Sequence, residues 1–216
     1  MRSALECLTV LGEPTTSWKA TRRAVTRAAI LDAAWEVARA DGIAGLTLRA
    51  VADRVGMRAP SLYSHFASKL DIYDAMFGQA WQAYDEELAA LELPDEPREV
   101  LRALARTFVD FALADLPRYQ LMDQRVIADF TPSPENYAPA VRVLERFRSA
   151  YARIVGEVRD DDVDLFIVML SGLIGTQWSN DPGGTRYVRQ VDRLVDMLAD
   201  EFGLPVPARL SQGERS

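Results

Sequence analysis

The chain has 216 residues, 49% of them apolar and 26% charged, which suits a folded globular protein long enough to bury a core. A single cysteine, Cys7, excludes an intrachain disulfide, and no apolar run is long enough to span a bilayer. The net charge of −7 is uneven: residues 1–70 carry ten basic and six acidic side chains, the remainder fifteen and twenty-six, so a polyanion is repelled by most of the chain and accepted by its first third.

Residues 1–20 contain Gly12, Pro14 and a Thr-Thr-Ser run without sustained periodicity, and read as a flexible arm. Glu6 interrupts the short apolar start, which makes a poor signal peptide, so a cytoplasmic location is the default expectation. Arg22, Arg23 and Arg27 stand at the start of a helix expected over about 24–40, where Ile30, Leu31, Ala34, Val37 and Ala38 follow the helical period. A short helix over about 48–55 is expected next, with Thr47 as N-cap and Gly56 as its stop, then another over about 59–65. Ser68 opens helix four, with Asp71 three residues on in a capping-box arrangement, and Ile72, Met76, Ala80 and Ala83 form its apolar face.

Pro94 and Pro97 break the pattern, and a domain boundary is expected there or before it. Grouping helix four with the C-terminal helices gives domains at 21–70 and 71–205, with a tail at 206–216. Helix five is expected from about Pro97 to Asp115 with Leu101, Leu104, Phe108 and Phe111 on one side, then a short helix with Tyr119 and Met122. Three prolines make Phe130 to Pro139 a loop, and Val141, Leu144, Tyr151 and Ile154 mark helix seven. Helix eight is expected to start after Asp160, Asp161 and Asp162, at about Val163, where their charge complements the helix dipole. After the Asp181-Pro182-Gly183-Gly184 turn, helix nine is expected from about Thr185 to Phe202, with Gly203 as its stop.

Thr47 to Lys69 is the most informative stretch. Two short helices flank Gly56; Leu48, Val51, Ala52 and Val55 can face inward from the first, Leu62 and Phe66 from the second. The second then presents Arg58, Ala59, Ser61, Ser64 and His65 outward, a small and polar face that can enter a DNA major groove closely. Pro60 falls in the first turn, where its missing N–H is harmless.

The segment from Ala29 to Phe77 resembles the DNA-binding domain of tetracycline-repressor-type (TetR family) regulators. The likeness rests on Thr47-Leu48-Arg49-x-Val51-Ala52, then Gly56-Met57, then Ser61-Leu62-Tyr63-x-His65-Phe66 with Lys69 following. It implies an all-α fold, with an N-terminal three-helix helix-turn-helix domain joined by helix four to a C-terminal helical ligand-binding and dimerisation domain. By the same resemblance, Thr47, Leu48 and Arg49 approach phosphate, Arg58, Ala59, Pro60 and Ser61 approach base edges, and Tyr63, Ser64, His65 and Lys69 complete the DNA face, with Tyr63, His65 and Lys69 on phosphates. Arg58 stands where many members carry a capping Ser or Thr, and its long cation can reach either a guanine edge or a phosphate.

The resemblance also implies a homodimer, a double-stranded palindromic operator and release by a small apolar ligand, without a cofactor. Aromatic density in the C-terminal part gives as candidate pocket residues Phe108, Phe111, Met122, Arg125, Tyr151, Phe166, Met169, Gln177 and Trp178, with Asp123, Gln124 and Asn180 as further polar groups. Helix eight is apolar nearly all round, so helices at about 160–179 and 185–202 are expected to pair with a second copy. One histidine and one cysteine leave no triad or His/Cys metal site, and no Gly-rich phosphate loop occurs, so an enzyme is not expected. The acidic balance of residues 71–216 also argues against a DNA-packaging protein, which needs broad phosphate neutralisation.

Overall fold

The structure is a computed structural model that describes residues 15–206, with side chains from Trp18 onward. Nine α-helices cover most of the described residues: α1 (Thr15–Asp41), α2 (Leu48–Val55), α3 (Ala59–Leu62), α4 (Lys69–Ala90), α5 (Pro97–Ala114), α6 (Leu116–Asp123), α7 (Pro134–Val155), α8 (Asp160–Asn180) and α9 (Val191–Glu201). The all-α expectation holds, and none of these helices is long and apolar enough to cross a membrane. The described residues divide into two compact units, one ending at Met76 and the other beginning at Phe77.

The first unit closes around α1. Ile30, Ala34, Val37 and Ala38 are essentially buried, as their period requires, and meet Ile43, Leu46, Val51, Ala52, Leu62 and Phe66. The first two turns of α4 belong to this core: Ile72, Tyr73 and Met76 are fully buried, and the Tyr73 hydroxyl donates to the Ile43 carbonyl at 2.6 Å. That anchoring sets the edge of the first compact unit at Met76, inside α4. Helix α1 begins at Thr15, so residues 15–20, expected in the arm, are helical; residues 1–14 lie outside the described residues. Periodicity reports burial, and Lys19 to Val25 are exposed, so this part of the helix leaves no apolar stripe to read.

In the second unit α5 packs against α8 and α9. Three arginines four residues apart on α5 meet three aspartates four residues apart on antiparallel α9. Arg98 reaches Asp200 at 2.6 Å, Arg102 pairs with Asp196, and Arg106 grips Asp192 with two bonds of 2.6 and 2.8 Å. Arg98 is buried and also donates to the carbonyls of Leu204 and Pro205, tying down the chain after α9. Helices α4 and α7 approach closely at Gly78, where a Cβ would stand 2.4 Å from the Asn136 side-chain oxygen.

Three expectations fail here. The loop to Pro139 ends early: Ser133 caps α7 by accepting the Asn136 N–H, Pro134 fits the first turn, and Pro139 is tolerated inside the helix because the carbonyl left without a donor belongs to exposed Glu135. Helix nine begins at Val191 rather than Thr185, because the buried Gln177 amide oxygen accepts the N–H groups of Tyr187 and Val188 at 2.9 and 3.2 Å and holds that segment as a single 3₁₀ turn, Val188–Gln190. Ala83 of α4 and Val141 of α7, expected on apolar faces, are exposed; Tyr84 and Val143 are buried instead.

A helix-turn-helix face and an apolar cavity

Helix α2 starts and stops as its flanking residues dictate. Thr47 is extended, and its hydroxyl accepts the Ala50 N–H at 3.1 Å. Gly56 sits at φ +76°, a left-handed conformation that disfavours side chains, and the Met57 N–H reaches back to the Ala52 carbonyl at 2.9 Å. Arg58 is extended before α3 and makes no capping bond with its side chain. Regular α-helix ends at Leu62, earlier than expected, but the winding continues: His65 and Phe66 both donate to the Leu62 carbonyl, at 2.9 and 3.0 Å. Helix α4 then begins with the expected capping box. Asp71 N–H donates to the Ser68 hydroxyl at 3.1 Å, and the Asp71 carboxylate accepts from that hydroxyl and from the Ala67 N–H.

These turns sort the segment into two faces. Val51, Ala52, Leu62 and Phe66 point into the core. Arg58, Pro60, Ser61, Tyr63 and Ser64 are exposed, as are Thr47 and Arg49 at the start of α2; Leu48, Ala59, His65 and Lys69 are half-buried. Tyr63 is 55% exposed, too much for a core residue of this size. Lys69 lies at the start of α4 with its ammonium 5.6 Å from the Tyr73 ring. Arg27, in the sequence no more than one cation among several, has a defined place in the fold. Its guanidinium stacks 4.0 Å over the Phe66 ring and donates to the His65 carbonyl, bracing the end of the α3 winding from α1. That contact spans 38 residues and has no local signature.

The second unit contains an apolar cavity of about 280 Å³. Phe108, Met122 and Phe166 lie on its wall, as does Asp123. The other candidates lie elsewhere. Phe111 packs on Tyr84 at 4.9 Å under the Arg118 guanidinium, and Tyr151 is buried with its hydroxyl donating to Asp162 at 3.1 Å. Gln177 secures the turn after α8, while Arg125 is exposed and neither Met169 nor Trp178 reaches the wall. Much of the wall comes from α4 and α7, through Phe77, Trp81 and Tyr84 and through Tyr137, Leu144 and Phe147. Sequence reasoning misses these α4 aromatics, although their i, i+4, i+7 spacing is a helical stripe that could have found them.

Charge around the cavity is tightly paired. Asp85 is buried between Arg142 and Arg146, which donate to its two oxygens at 2.8 and 2.6 Å. Burial alone would raise its pKa, but the two guanidinium bonds outweigh it and hold the carboxyl below the usual range. The Tyr119 hydroxyl donates to Asp123 at 2.8 Å, and burial, with the Asp123 charge behind it, pushes the phenol pKa upward.

Residues 30–76 match the family model of bacterial regulatory proteins, tetR family. Among curated proteins, the transcriptional activator FasR of Mycolicibacterium smegmatis is 32% identical over 50% of this chain and 49% of its own. The transcriptional repressor BepR of Brucella suis is 29% identical over 72% of each chain. The first three curated relatives are matched over 49%, 52% and 39% of their length, so the chain spans about half of them or less. Among solved structures, a bacterial regulatory protein of the tetR family from Rhodococcus superposes with a TM-score of 0.62 at 18% identity, covering 83% of this chain and 98% of that one, which shows the shared fold.

Proposed function

We propose, for a chain that belongs to the tetR family of bacterial regulatory proteins, that it is a dimeric DNA-binding transcriptional regulator, a repressor released from a palindromic operator by a small apolar ligand. The observation that carries this reading is the face at residues 58–69: exposed, small and polar around α3, flanked by Tyr63 and Lys69, on a unit of net positive charge. Arg58, Ala59, Pro60 and Ser61 read base edges; Thr47, Leu48 and Arg49 at the start of α2 lie along the phosphates with Tyr63, Ser64, His65 and Lys69. Repression is preferred to activation because the likeness to the repressor BepR covers 72% of each chain, whereas that to the activator FasR covers about half of each.

The second copy covers the outer faces of α8 and α9. Leu165 and Val168 on α8 and Met197 on α9 are 43%, 66% and 61% exposed, and the space beside Gly172 where a Cβ would stand is open, which supports close approach of a partner helix. The ligand occupies the apolar cavity and acts through α4, which is continuous from Lys69 to Ala90. It shifts the DNA equilibrium by its differential affinity for the two states.

Phosphate contacts act on any duplex, so the test needs no operator. Binding of a random duplex at low salt is measured for the wild type, Tyr63→Ala and Lys69→Ala. Both variants should bind several-fold more weakly, and Lys69→Ala should lower the salt slope by about one. Unchanged affinity in folded variants refutes the assigned face.

A further inference from the structure

Resting on the reading of the cavity as the ligand site, a second depression names the ligand's chemical class. Leu88 and Leu104, which line the apolar cavity, also line an open groove of about 480 Å³ that carries Arg142, Arg146 and Arg153 of α7. These two buried leucines form a wall common to both spaces, which differ sharply in character. One is walled by aromatic rings; the other is rimmed by guanidiniums.

The charges of the groove do not cancel. Arg142 and Arg146 share one carboxylate, Asp85, and Glu145 is the only carboxylate on the groove wall itself. Arg153 meets no acceptor among the described residues. Three cations against two anions leave the groove one positive charge, in a unit that is otherwise strongly acidic. Asp123, the carboxylate on the cavity wall, is already held by Tyr119 and repels an anion from that side.

We propose that the two spaces form one site for an amphipathic anion: an apolar chain lies in the aromatic cavity, passes Leu88 and Leu104, and places an acidic head beside Arg153 and Arg146. The head gains charge-assisted hydrogen bonds that a neutral polar group does not match, and the chain gains apolar burial for each methylene. A purely apolar ligand leaves the groove unused, and a cationic amphiphile meets the wrong charge there.

The test is direct titration of the full chain by calorimetry with octanoate, nonanoate and decanoate, and with decanol and decyltrimethylammonium, which carry the same chain as decanoate on a different head. Affinity should rise roughly fourfold per added methylene in the acid series. Decanoate should bind about tenfold more tightly than decanol. Arg153→Gln, at an exposed position where folding is safe, should remove most of that preference and leave decanol unchanged. Equal affinity for decanoate and decanol, strongest binding by the ammonium, or an undiminished acid preference in Arg153→Gln overturns the proposal. No DNA is present, so failure here leaves duplex binding untouched, and failure of the Tyr63 and Lys69 variants to weaken duplex binding leaves these affinities untouched.

Discussion

At the residue scale, Asp85 and Gln177 have roles that their types alone do not announce. Asp85 is buried with two arginines that are themselves nearly half-exposed, so it stabilises the fold while ionised. Its folded pKa is depressed; its contribution is therefore complete above the ordinary carboxylate value, about 3.9, and is lost as pH falls through the folded value. Asp85→Asn should reduce stability by about 1–2 kcal/mol at pH 7, and urea melts at descending pH should show the variant losing less stability below pH 4 than the wild type. Gln177 satisfies two backbone N–H groups and donates to the carbonyls of Asp181 and Gly184. Gln177→Leu orphans these groups and should cost about 2–4 kcal/mol, read as a lower denaturation midpoint with an unchanged slope. Neither role is legible in the sequence, since both depend on partners brought together by folding.

At the element scale, the α5–α9 ladder grades burial against ion pairing. Arg98→Met removes a buried guanidinium with three acceptors and should destabilise by about 2–4 kcal/mol. Arg106→Met breaks a pair whose two side chains are about half-exposed and should cost under about 1 kcal/mol. Equal losses in urea unfolding would contradict the assigned burial. The same scale shows what sequence can carry. Helices α2 and α5 are legible to within about a residue because caps, prolines and glycine stops are local chemistry. The start of α1 and the onset of α9 are not, the first because an exposed helix has no apolar stripe, the second because a glutamine on α8 sets it. Of the candidate site, the face at 47–69 is readable because it is one contiguous segment. The cavity is only partly readable because α4, α5, α6, α7 and α8 all contribute to it.

At the scale of the whole molecule, the exposed apolar faces of α8 and α9 predict a homodimer. Sedimentation should give about twice the 24.1 kDa chain mass, and Val168→Asp should give monomers. On the proposed reading, a two-fold molecule with one α3 on DNA per copy would impose its symmetry on the site it prefers. Selection of bound duplexes from a random pool by the full chain tests this most directly. The prediction is a palindrome whose half-sites are centred one helical turn or a multiple apart, roughly 34–36 Å per turn. Recovery of no enriched sequence, or of a single asymmetric site bound by one copy, would contradict it.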